Sequence, residues 1–86
     1  MDELEQYRKK VDEVDDLILK ALNERVKICM AIGLVKKKRG MSVTDISREN
    51  EVYKTVKQKS VEFGLEPLQV EAVYREIVNM CRAVQE

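Results

Sequence analysis

The chain has 86 residues, sixteen cationic and sixteen acidic side chains, and no histidine. That length makes one domain, residues 1–86, in which burying a core is marginal for a lone protomer. The balanced charge argues against nucleic acid as a partner, since binders of it carry a basic excess, and no run approaches the ~18 apolar residues of a membrane span.

One Pro, three Gly and many Glu, Lys, Leu and Val point to an all-α chain. Helix 1 is predicted over residues 2–38. Its stripe of Leu4, Tyr7, Val11, Val14, Ile18, Ala21, Ile28, Ile32 and Val35 recurs at spacings of three and four, the pattern of a helix packed along its length. Arg25 interrupts the stripe. A guanidinium there needs an anion beside it, or the helix loses stability. Eleven residues on, Lys36 returns to nearly the same face, because eleven steps of ~100° make about three turns. Two cations in an apolar groove suggest a small-anion site.

At ~1.5 Å per residue this helix spans about 54 Å, whereas a compact chain of this length has a radius of gyration near 12 Å. It cannot bury its stripe against the rest of its own chain, so a homodimer is expected. In the run Lys36-Lys37-Lys38-Arg39, Lys37, Lys38 and Arg39 complement the helix macrodipole while Lys36 faces inward with Arg25; a nucleic-acid or localisation role is the other reading of the run. Gly40 is the expected C-terminal stop.

Thr44 or Asp45 can cap helix 2. Asp45, Arg48 and Glu49 then share one face at i, i+3 and i+4, continued by Val52 and Val56. On spacing alone this is either a cap beside a solvated charge pair or a ligand-facing cluster. Helix 2 runs to about Val61, and Phe63-Gly64-Leu65-Glu66 makes a turn. Pro67 opens helix 3, whose inner face carries Val70, Val73, Tyr74, Ile77, Val78, Cys81 and Val84. Cys81 reads first as a small hydrophobe and Gln85 as a frayed end.

Without histidine, neither a Cys–His nor a Ser–His nucleophile can be assembled, and the two Cys offer no recognisable zinc spacing. No metal or cofactor is expected, and catalysis here rests on charge and shape. Two thiols make no disulfide framework, so a reducing cytoplasmic location is the default. The acidic, amphipathic N-terminus does not read as a signal peptide.

These positions together resemble the all-helical (AroQ) class of chorismate mutase. The pattern starts at Arg8-x-x-Val11-Asp12-x-x-Asp15 and continues through Arg25, Lys36, Asp45-x-x-Arg48-Glu49 and Gln85. It covers nearly the whole chain without gaps. The resemblance implies three helices with a very long first one, intertwined in a homodimer. It also implies rearrangement of chorismate to prephenate, a pericyclic reaction toward the aromatic amino acids. That reaction needs a flexible dianion held in a chair-like shape and charge on its ether oxygen stabilised.

By the same resemblance Arg25 pairs with one substrate carboxylate, and Arg8 with the other from the partner subunit. Arg8 lies ~25 Å along the helix from Arg25, so only an antiparallel second copy brings both to one ligand. Lys36 and Gln85 donate to the ether oxygen. Glu49 and the backbone near Asp45 hold the ring hydroxyl, Arg48 orients carboxylates, and Ile32, Val52 and Val78 form apolar walls. Two departures stand out. Cys81 replaces a serine that helps hold a carboxylate, and a thiol donates weakly; Thr44 stands where the family can carry an arginine. Gln85 needs no proton, which implies activity into the alkaline range. Two alternatives share the fold: an isochorismate-pyruvate lyase, and a non-catalytic regulatory or dimerisation module. No effector domain is expected in so short a chain.

Overall fold

In a computed structural model, which describes residues 2–86, the chain forms α1 (Glu3–Lys38), α2 (Ile46–Glu62) and α3 (Pro67–Gln85), with no strand among the described residues. Local chemistry sets each boundary. The Asp2 carboxylate accepts from the Glu5 amide at 2.8 Å, and α1 carries acids in its first turn and Lys36, Lys37 and Lys38 in its last, as the macrodipole favours. At its far end Gly40 takes φ +65°. The Met41 amide reaches back to the Lys36 carbonyl at 2.8 Å and the Gly40 amide to Lys37 at 3.3 Å, a Schellman closure. The device recurs after α2: Gly64 has φ +71°, and Leu65 donates to the Ser60 carbonyl at 2.8 Å. Asp45 caps α2 through the Arg48 amide at 3.0 Å. The Glu66 carboxylate caps α3 through Gln69 at 2.8 Å, with Pro67 in the first helical position, where its missing amide costs nothing.

α3 is the central element, packing on both α1 and α2, which do not pack on each other among the described residues. The interior is small: Cys29, Tyr53 and Val78 are the buried apolar side chains, with Gly33 and Ser60 buried beside them. Ser60 satisfies its hydroxyl by donating to the Val56 carbonyl at 2.6 Å, the i−4 bond that lets a buried serine sit in a helix. Across the α2–α3 contact Glu71 accepts from Lys57 at 3.0 Å and from Arg75 at 3.5 Å, while the Arg75 guanidinium lies 4.4 Å from the Tyr53 ring centroid, within cation–π range. The Lys57 hydrogen bond, helped by both cations' charge and opposed by partial burial, holds the Glu71 carboxyl below its ordinary range.

The apolar stripe of α1 is not what the protomer buries. Ile28, Ile32 and Val35 stay 60%, 42% and 45% exposed. The face turned to α3 instead carries Cys29 and Gly33, flanked by the half-buried Leu22, Arg25, Val26 and Lys36. Small side chains win that face because α3 approaches closely there. On α3, Val73 is 60% exposed and Val84 also lies off the packed face. The long helix leaves the molecule 57 × 24 × 15 Å with a radius of gyration of 16.2 Å, well above the ~12 Å of a compact chain. Residues 2–21 are all exposed, including Leu4, Tyr7, Val11, Val14 and Ile18.

Candidate active site

The ends of three elements enclose a cavity of about 450 Å³. Its walls are the second half of α1, the first turn of α2 and the last turns of α3. Arg25, Ile32 and Lys36 line it from α1; Asp45, Arg48, Glu49 and Val52 from α2; Val78, Cys81 and Gln85 from α3. Ten of the eleven residues expected at the site are thus brought together within one protomer. Arg8 is the exception: it stands exposed on the free half of α1 and does not line the cavity.

Arg25 and Lys36 are both half-buried, and among the described residues neither has a carboxylate within ion-pair distance. Arg25 spends one N–H on the Cys29 sulfur at 3.8 Å, a weak acceptor. Lys36 donates to the Val43 carbonyl and to Gln85 Oε1, each at 2.7 Å. An ammonium has three N–H groups, so one remains for a ligand. Since Lys36 can only donate, the Gln85 oxygen must face it, and the amide nitrogen turns to the Cys81 sulfur at 3.1 Å. Two partly desolvated cations that the fold leaves unneutralised make a cavity that favours an anion.

The α2 cluster divides its work. The Asp45 side chain is occupied as a cap, so the backbone there, not the carboxylate, is what it can offer a ligand. Arg48 lies at the rim, paired with Glu51 at 2.9 Å with both side chains about two-thirds exposed; its partner is not Asp45 or Glu49. Glu49 is instead held by Arg82 of α3 at 3.1 Å.

The cysteines correct the sequence reading. Cys29 and Cys81 are joined as a disulfide across the α1–α3 contact, with Cα atoms 5.3 Å apart and a sequence separation of 52, within ordinary disulfide reach. Cys81 therefore has no S–H to donate, and its contribution to the cavity is a wall and a weak acceptor for Gln85. Count alone argues against a framework of several bridges; it does not forbid one bridge between two helices whose inner faces meet.

Residues 7–86 match the family profile described as chorismate mutase type II. The chain belongs to that family. It is similar to the bifunctional chorismate mutase/prephenate dehydratase of Aquifex aeolicus, 34% identical over 88 residues that take in 99% of this chain and 24% of that protein. This chain thus spans about a quarter of the Aquifex protein's length. It is also similar to the chorismate mutase of Methanocaldococcus jannaschii, 29% identical over 77% of this chain and 67% of that one. A conserved hypothetical protein of Pyrococcus furiosus has a solved structure that superposes with a TM-score of 0.75 at 29% identity, covering 96% of this chain and 95% of the other.

Three groups that line or support the cavity of this chorismate mutase family member are missing from the residues expected at the site. Gly33 is one: a methyl group built there would sit 2.9 Å from the Gln85 Cα, so the glycine is what lets α3 bring Gln85 against Lys36. A glycine in a helix interior costs about 1 kcal/mol relative to alanine, and that unexplained cost is the available signal. The Val43 carbonyl depends on loop conformation and leaves no mark in sequence. Arg82 could be found from its i+4 relation to the apolar wall residue Val78.

Proposed function

We propose that the chain is a chorismate mutase that rearranges chorismate to prephenate in aromatic amino-acid biosynthesis, acting through residues 1–86 as one domain of an antiparallel homodimer. No described helix is long and apolar enough to cross a membrane. The observation that carries the reading is the pair of half-buried, carboxylate-free cations, Arg25 and Lys36, facing one cavity. Chorismate supplies the missing charge as a dianion. Arg25 forks onto one carboxylate. Arg8 of the second copy reaches the other, which also explains the exposed apolar stripe on the free half of α1: it is the seam on which the partner's α1 lies.

The reaction makes and breaks its bonds within the substrate, so the protein has only to hold the reacting shape and meet charge as it develops. The free N–H of Lys36 and the amide of Gln85 donate to the ether oxygen, whose charge grows toward the transition state. Gln85 gives up only a sulfur contact to do so. Glu49 accepts from the ring hydroxyl, and Ile32, Val52 and Val78 press the ring into a chair-like form.

Following chorismate consumption by absorbance, with chromatographic identification of prephenate, tests this reading. Prephenate as sole product supports it. Pyruvate release from isochorismate with no action on chorismate replaces it with the lyase, and no turnover of either leaves a non-catalytic module.

A further inference from the structure

Within that reading, we propose that Arg82 is a positioning residue: it fixes the Glu49 carboxylate as the acceptor that selects for a ring hydroxyl on the substrate. The ion pair joins the first turn of α2 to the last turns of α3, with Arg82 Nη2 at 3.1 Å from Glu49 Oε1. Both residues line the cavity. The Glu49 side chain is only 14% exposed and that of Arg82 36%, so this pair is screened less than the rim pair of Arg48 and Glu51. Among the described residues Arg82 is the one cation paired with Glu49.

The pair has two consequences. One carboxylate oxygen is engaged, which restricts rotation of the group and aims the other oxygen. The tether also keeps Glu49 from its neighbours. A loose carboxylate in a cavity shared with Arg25 and Lys36 is drawn toward their charges and away from the place where it would meet a ring hydroxyl. Arg82 Nε is buried without a hydrogen-bond partner in the protein. Orphaned buried donors are rare in folds, and the hydrogen bond this guanidinium does make is the one to Glu49.

The test compares wild type, Arg82→Met, Arg82→Lys, Glu49→Gln and the Arg82→Met/Glu49→Gln double variant, each on chorismate and on an analogue with hydrogen in place of the ring hydroxyl. Small misplacements of a group that positions substrate can cost up to about a hundredfold. Arg82→Met is expected to lower kcat/KM for chorismate by about ten- to a hundredfold, and for the deoxy analogue by less than about threefold, with partial recovery in Arg82→Lys. In the Glu49→Gln background the further loss is expected to vanish, since coupled residues are non-additive. An equal loss on both substrates, an additive double variant, or unchanged chorismate turnover in Arg82→Met overturns the proposal. Should Arg82→Met fail to fold, Arg82→Lys and Glu49→Gln still report whether hydroxyl discrimination runs through the pair. Wild-type inactivity on chorismate sinks the parent reading instead, and the two failures are distinct.

Discussion

The Nζ of Lys36 and the Oε1 of Gln85 lie 2.7 Å apart although 49 positions separate them in sequence. The contact makes the end of α3 part of the site by joining it to the last turn of α1. It also fixes which way the amide points. An ammonium locks the oxygen and leaves the nitrogen to donate elsewhere.

Donation by that nitrogen requires no proton uptake, so turnover is expected to persist through neutral into mildly alkaline pH. Gln85→Glu can donate only while protonated, and its activity is expected to fall away above the ordinary glutamate range of ~4–5, or somewhat higher if burial raises it. Initial rates between pH 5 and 9 check this. Parallel profiles for the two proteins count against a donor role for Gln85.

Arg25→Ala and Lys36→Ala each remove a charge-assisted contact, and each is expected to lower kcat/KM by at least ~10². Neither cation has a carboxylate to leave stranded, so both variants are expected to keep their helical content by circular dichroism. Near-full turnover in either removes that residue from the mechanism.

Gly33→Ala sets two effects against each other. Alanine favours a helix interior by ~1 kcal/mol, but its methyl meets the Gln85 backbone at 2.9 Å, and forcing atoms into packed space costs about 1–3 kcal/mol. The clash is with backbone and cannot be relieved by a rotamer, so α3 must shift away from α1. The expected result is no gain in melting temperature and a loss in kcat/KM of about tenfold, since small misplacements at a site cost that or more. A more stable, fully active variant contradicts the role given to this glycine.

Reduction of the Cys29–Cys81 bridge frees a loop of 52 residues, for which chain entropy gives up to about 4 kcal/mol and practice more often 2–4. Urea denaturation with and without dithiothreitol is expected to show a lower midpoint on reduction. Identical midpoints, with reduction verified by thiol titration, mean the bridge does not stabilise the fold.

The Glu71 carboxyl is lowered first by its hydrogen bond to Lys57. A group whose pKa is depressed in the folded state stabilises above its unfolded value and loses that contribution as pH falls through its folded value. Thermal stability carried by Glu71 is therefore expected to be fully present at neutral pH and to disappear on acidification below about 4.3, the unfolded glutamate value. Glu71→Gln is expected to flatten that part of the melting profile while leaving turnover at pH 7 unchanged. The same acid dependence in the variant assigns it to other carboxylates.

The parts of this architecture that were legible in sequence are those fixed locally. Gly40 and Gly64 at the helix ends, Asp45 as a cap and Pro67 as a first helical residue each answer to the backbone within one turn, and all lie where their chemistry places them. Arg25 and Lys36 were legible because a charge in an apolar register needs an anion. The Cys29–Cys81 bridge, the Glu49–Arg82 pair and the Gly33–Gln85 approach were not, because each depends on how closely α3 passes two other elements. The stripe of Ile28, Ile32 and Val35 shows the converse: its periodicity is plain, yet the protomer leaves these side chains 42–60% exposed.

The shared site is tested most directly by mixing Arg8→Ala with Arg25→Ala protein and following chorismate turnover after subunit exchange. The bridge between Cys29 and Cys81 lies within one chain and does not block exchange. Each homodimer alone is expected to be nearly inactive. In an equal mixture half the dimers are mixed, and each holds one site with both arginines, so about a quarter of wild-type turnover returns. Mixed dimers that form, as verified by mass spectrometry, yet stay as inactive as their parents contradict a site built from two copies of this chain.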